Sequence, residues 1–296
     1  MAGMGRDAVV VGYDLSDASR RAVWWAAREA ASRHRRLLLV HVFVWPFSER
    51  VPVTVPAQEE VVEPLQQALR RELAVLVEGC REIGPGLDIG SELPFGDPSE
   101  VLAATAQDAA LLVLGAVGAG GVASHLGSTA AELLARGSGA PVVVVRGRGP
   151  EPGTGPVVVG VDGSAVSEKA VQFAFDFASR HEAVLVAAHS WSDAPLDPYA
   201  RVQHWEVPWT EMRDDALELL SRSLAGWAEQ YPDVTVRRAV SAAQAAHTLV
   251  EEAEGASLLV VGSHGRGRVR RLLLGSVSHA VVHHAPCPVA VIPAGR

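Results

Sequence analysis

The amino-acid sequence predicts an α/β protein made of two tandem doubly wound domains, each a five-stranded parallel sheet with helices on both faces. Three observations lead there. The chain is written twice, each copy alternates short apolar runs with amphipathic stretches, and a glycine-rich segment follows the fourth apolar run of each copy. Apolar strands alternating with helices imply a parallel sheet covered on both sides.

The duplication is direct. AVVVGYDLSDASRRAVWWAAREAASRHRRLLLVHVF, residues 8–43, matches PVVVGVDGSAVSEKAVQFAFDFASRHEAVLVAAHSW, residues 156–191. Asp14 aligns with Asp162, Ser19 with Ser167, Ala22 with Ala170 and His41 with His189, all at one offset. DAALLVLGAVG aligns with GASLLVVGSHG, and GAPVVVV with PCPVAVI. So long a repeat unit is a duplicated domain rather than a solenoid turn. The expected division is residues 1–147, a Gly/Pro-rich linker at 148–155, and residues 156–296.

In the first copy, Val9–Val11 reads as a buried strand, and Ser16 to Ser32 has helical periodicity with Ala22, Trp25, Ala26 and Ala30 on one face. Leu37–Val42 reads as the second strand. A long irregular loop is expected next, then a helix from about residue 64 to 80. Leu87–Leu93 gives a weaker strand, Ser99–Gln107 a helix, Leu111–Leu114 a strand, Ser128–Ala135 a helix and Val142–Val145 the last strand. Left alone, Val142–Val145 and its counterpart Val289–Ile292 would be bare apolar edges. The two copies are therefore expected to pair as a pseudo-twofold through these last strands.

Composition narrows the function classes. The 296 residues are 48% hydrophobic and 20% charged, with a formal net charge of −8, which argues against a general nucleic-acid binder. The two cysteines show no CxxC or ligand-like spacing, which fits a reducing cytoplasm. No signal-peptide pattern and no apolar run long enough to span a membrane are found, so the expectation is a cytoplasmic protein without membrane contact. His279 and His283 have the i, i+4 spacing of a metal pair but lack HExxH and an evident third ligand, so no metal residue is assigned. Neither Walker A spacing nor a GxSxG elbow occurs, and no residue is assigned a catalytic role.

VVGSHGRGRVRRLLLGSVSHAVV, residues 260–282, carries the chemistry. Gly262 and Gly265 follow a strand at the carboxyl edge of the sheet, where ligands of such folds sit. Gly275-Ser276 then opens a helix, whose free N–H groups and dipole favour a phosphate. Arg266 stands beside Gly265, placed for a phosphate contact.

Gly262-x2-Gly265-x9-Gly275-Ser276, the opening VVVGVDGS and the ending HHAPCPVAVI resemble the universal stress protein family. The resemblance covers nearly the whole chain, as two family domains. It implies an adenine nucleotide as partner, ATP with Mg2+ as its companion ion, and pairing of domains or a homodimer. On that resemblance Asp162 and Asp14 meet the adenine side of the nucleotide, and Val42 packs on the base, with Ser190 in its place in the second copy. Gly262, His264, Gly265, Gly275, Ser276 and Val277 match the loop that contacts ribose and phosphates. Their first-copy matches are Gly115, Val117, Gly118, Gly127, Ser128 and Thr129. There only eight residues separate Gly118 from Gly127, and none of them is Lys or Arg. Tighter ATP binding is therefore expected in the second copy. The resemblance implies a nucleotide-dependent stress-response regulator acting with a protein partner. The other readings are a slow ATP hydrolase or nucleotidyl-transfer enzyme on the same site, or a scaffold without nucleotide.

Overall fold

Short runs of valine, leucine and isoleucine form the strands, as expected where a sheet is buried on both faces. A computed structural model describes residues 5–44, 58–116, 133, 139–146, 154–191, 209–265 and 274–294. It separates into two units, Met1–Val145 and Arg146–Arg296. The first contains β1 (Val9–Gly12), α1 (Asp17–Ser32), β2 (Leu37–Val40), α2 (Gln58–Ile83), β3 (Ile89–Glu92), α3 (Pro98–Thr105), β4 (Leu111–Gly115) and β5 (Val142–Val145). The second contains β6 (Val157–Gly160), α4 (Ala165–Arg180), β7 (Leu185–Ser190), α5 (Trp209–Leu224), α6 (Trp227–Gln230), β8 (Val236–Ser241), α7 (Ala245–Glu252), β9 (Leu258–Gly262), α8 (Ser276–His284) and β10 (Val289–Ile292).

Within the first unit the strand order is β3-β2-β1-β4-β5, and within the second β8-β7-β6-β9-β10, every pair parallel. Each unit thus contains five parallel strands, in keeping with the sequence expectation. The order runs outward from β1 to β3, then restarts on the other side of β1. Right-handed crossovers place the helices of the two halves on opposite faces. In the second unit α4 packs on β6 and β9 and touches α5, whereas α7 packs on β6 and β7 and touches α8. The crevice where the order reverses lies between β1 and β4 in one unit and between β6 and β9 in the other.

Two elements differ from the sequence expectation. The second helix starts at Gln58, before the expected start near 64, and carries Pro64 inside it. α6 is a single turn with no periodic signal of its own. It is fixed by stacking of Trp227 and Tyr231 on the buried Phe175, with ring centroids 5.9 and 5.7 Å away. The adjacent tryptophans divide their duties: Trp25 enters the core, and Trp24 lies against α2, where a Cβ on Gly79 would come within 2.5 Å of its ring. The expected helix at Ser128–Ala135, apart from Leu133, and most of the linker fall outside the described residues.

One pair of bonds fixes the strand ends that matter. Nδ1 of His41 lies 2.8 Å from the carbonyl of Tyr13, and Nδ1 of His189 lies 2.6 Å from that of Val161. A carbonyl only accepts, so each Nδ1 carries the proton. Both imidazoles therefore clamp the peptide just before an acid, Asp14 or Asp162. Burial lowers the pKa of His41 from the ordinary 6.5, partly offset by the Tyr13 bond and the Asp14 charge. The unfolded chain thus takes up this proton first. No cost arises above about pH 6.5; stability falls as the pH drops from there toward the folded-state pKa. The variant His41→Asn keeps an N–H donor near the Nδ1 position and removes the titration. Its melting temperature should fall less than that of wild type between pH 7.5 and 6; identical slopes would refute the assignment.

Candidate functional site

In the second unit the loop after β6 begins the site. The Asp162 Oδ1 accepts from the Ser164 N–H at 2.9 Å, and the Asp162 N–H donates to Ser167 Oγ at 3.3 Å. Ser164 is also the N-cap of α4, its side chain accepting from the Ser167 N–H. Such a cap contributes about 1 kcal/mol. The acid is therefore fastened to the start of α4 on one side and to the strand end on the other.

Across the crevice, β9 ends at Gly262 and the chain turns through Ser263, His264 and Gly265. The Gly275 N–H donates to the Ser263 carbonyl at 2.9 Å, and Ser278 Oγ donates to the Gly262 carbonyl at 2.6 Å. Those two bonds dock the beginning of α8 onto the glycine loop. Gly265 faces the acid directly: a Cβ there would sit 2.6 Å from Asp162 Oδ2. Any other residue would have to push the carboxylate aside. Gly275 gives α8 no side-chain cap, so the first-turn N–H groups, including those of Ser276 and Val277, have no partner within the helix. His264 is half-buried, its Nδ1 3.2 Å from Ser263 Oγ. Asp162, Gly262, His264, Gly265 and Gly275 thus come together around the mouth of one crevice, with Ser276 and Val277 at the adjoining helix start. Arg266 lies outside the described residues.

The first unit repeats the acid's setting. Asp14 Oδ1 accepts from the Ser16 N–H at 3.1 Å and the Ser16 hydroxyl at 2.5 Å, and the Asp14 N–H donates to Ser19 Oγ at 3.2 Å. Gly115 ends β4 so close to α1 that a Cβ would meet the Ala18 carbonyl carbon at 2.5 Å. Val42, half-buried, follows β2 on the neighbouring strand. Val117, Gly118, Gly127, Ser128 and Thr129 lie outside the described residues.

Two features set this unit apart. Tyr13 replaces Val161; its hydroxyl donates to Glu72 at 2.9 Å, and Arg20 also reaches Glu72 at 3.0 Å. Burial and that bond push the Tyr13 phenol up to about 12, so it stays a donor and ties α2 to the strand end. The second feature is Leu15. It holds φ 69° where its counterpart Gly163 holds φ 75°. A leucine in the left-handed region costs about 1–2 kcal/mol that a glycine avoids.

Some of this escaped sequence reasoning. The clamping roles of His41 and His189 and of Ser19 and Ser167 were signalled only by their alignment between copies. Ser278 and the strain at Leu15 carried no signal. The rings of His279 and His283 lie on exposed helix surface, tilted 49° to each other with centroids 4.5 Å apart. Among the described residues no group of three or more His, Cys, Asp or Glu could hold a metal ion. Among them, too, no helix is long and apolar enough to cross a membrane.

Comparison with known proteins agrees with this architecture. The model of the universal stress protein family matches twice, over residues 5–146 and 154–293. A universal stress protein of Mycobacterium tuberculosis is 38% identical over 289 residues, covering 96% of each chain. The crystal structure of a universal stress protein from Archaeoglobus fulgidus shares the fold with a TM-score of 0.71, at 16% identity over 97% of this chain and 98% of that one. A universal stress protein solved in complex with cAMP is 28% identical over 47% of this chain and 95% of its own, with a TM-score of 0.30. Two family matches in tandem, and a relative alike from end to end, place this chain in the universal stress protein family.

Proposed function

We propose that this protein binds ATP at the carboxyl-edge crevices of its units and acts as a nucleotide-dependent regulator in the stress response. The observation that carries the reading is the approach of Gly265 to the Asp162 carboxylate, with the start of α8 docked beside it. An acceptor for base or ribose hydroxyls, a backbone bare of side chain and an uncapped helix start are what an adenine nucleotide needs in sequence from base to phosphates. In the second unit Asp162, Gly262 and His264 serve the nucleoside, and Gly265, Arg266, Gly275, Ser276 and Val277 the phosphates. In the first, Asp14, Val42 and Gly115 serve the nucleoside, with Val117, Gly118, Gly127, Ser128 and Thr129 in the matching loop. Mg2+ enters on the phosphates, in keeping with its preference for one or two carboxylates plus phosphate oxygens.

The two sites are unequal in this reading. The second has a nine-residue spacer with Arg266, Arg268, Arg270 and Arg271 to neutralise a triphosphate; the first has eight residues without a cation. One residue less displaces a phosphate-binding element by up to roughly 3 Å, enough to break a hydrogen bond.

Calorimetry on the full chain should show a tight and a weak ATP event, and Gly265→Glu should remove the tight one. The loss should be about 100-fold or more, the equivalent of two charge-assisted bonds. Gly118→Glu should leave the tight event in place. The reverse pattern would overturn the assigned order. Incubation with ATP should return it intact, whereas multiple turnovers would favour the hydrolase reading over the regulator.

A further inference from the structure

α8 docks through one face and carries two histidines on another. Ser278, Val281 and Val282 are buried, and Ser278 Oγ donates to the Gly262 carbonyl at 2.6 Å. The His279 N–H closes the first turn on the Gly275 carbonyl at 2.8 Å, and the Ala285 N–H closes the last on that of Val281 at 2.9 Å. Arg146 adds a hydrogen bond to the Val282 carbonyl. A helix fastened at both ends holds the backbone beneath His279 and His283 in place, which lowers the ordering cost of any ligand they share.

Residues four apart on a helix lie on one face. Both histidines are exposed there, with ring centroids 4.5 Å apart and planes tilted 49°. An ion at about 2.0–2.1 Å from each of two imidazole nitrogens needs those nitrogens about 3 Å apart. Rings this close reach that spacing by turning about their side-chain bonds. The fold does not ask for the pair. The first copy carries Ala131 and Ala135 at the matching places, and alanine is the better helix former.

The surroundings select the class of ion. The charged groups that act on His283 are His279, Arg146 and His284, all of them basic. Mg2+ and Ca2+ take oxygen ligands and gain nothing from such a setting. Cu2+, Ni2+ and Zn2+ bond to neutral imidazole directly. Among the described residues no group of three or more His, Cys, Asp or Glu includes the pair, so an ion held by it keeps open positions.

We propose that His279 and His283 form a surface site for one transition-metal ion, Cu2+, Ni2+ or Zn2+, each giving one ring nitrogen while water fills the other positions. The site is independent of the nucleotide reading. Chelation across one turn staples α8, so the metal stabilises the folded chain in proportion to its occupancy.

The test titrates the untagged full chain at pH 7.5, without nucleotide, with Cu2+, Ni2+, Zn2+ and Mg2+ in a calorimeter. One event should appear with Cu2+, weaker with Ni2+ and with Zn2+, and absent with Mg2+. His279→Ala and His283→Ala should each weaken it by about tenfold or more, at least what the loss of a supporting contact costs a metal site. His284→Ala should leave it in place. Without metal, the melting temperature of the two pair variants should equal or exceed that of wild type, and added Ni2+ should raise it in wild type only. Electron paramagnetic resonance of the Cu2+-loaded chain should show coupling to two imidazole nitrogens, reduced to one in His283→Ala. An isotherm unchanged in both pair variants, an equal loss in His284→Ala, or no Cu2+ and Ni2+ binding in wild type overturns the proposal.

Discussion

The peptide that ends the first strand of each unit is held by three bonds, and the candidate site depends on them. An imidazole Nδ1–H clamps the carbonyl before the acid, a serine hydroxyl in the first helix receives the acid's own N–H, and the acid's side chain accepts from the N-cap residue. Such an arrangement leaves a carboxylate at the strand-order reversal with little freedom to turn. Gly265 can approach Asp162 closely because that carboxylate is fixed, and α8 can dock on the loop because Gly262 and Ser263 present their carbonyls to it. Preorganisation of this kind lowers the ordering cost of binding.

Duplication kept this clamp and let its surroundings diverge. Both copies retain the acid, the histidine and the two serines, whose geometry allows few substitutes. The residues around them differ between the two copies. Tyr13 and Glu72 brace the first unit where the second has valine. Leu15 departs from the glycine that the backbone prefers. The arginines of the second loop have no counterpart in the first. Equal frames with unequal rims are the physical content of the asymmetry between the two units.

Much of the fold could be read from residues alone, because buried parallel strands such as Val9–Gly12 and Leu258–Gly262 are continuous apolar runs between glycines and caps. The edge strand β3 read weakly for a matching reason: it carries Gly90 and Ser91 and is only half-buried. Of the candidate site, the loop glycines were legible through their spacing, and the acid through its match between the copies and the family resemblance. The histidine clamp was visible only as an unexplained match between copies, since nothing in a sequence says which carbonyl an imidazole will meet. Leu15 was legible only as a leucine opposite Gly163 in the other copy, because a dihedral angle leaves no mark of its own on a leucine. The Ser278 bond to Gly262 needs the loop's path before it can be drawn.

The central claim is that the base of an adenine nucleotide sits at the carboxyl edge beside Asp14 and Asp162. Photolabelling with 8-azido-ATP, followed by peptide mapping, tests it most directly. The account predicts covalent label on peptides that carry the strand ends around residues 13–16 and 41–44 or 161–164 and 189–191, competed away by ATP. Label confined to peptides away from these strand ends, and still competed by ATP, would contradict it.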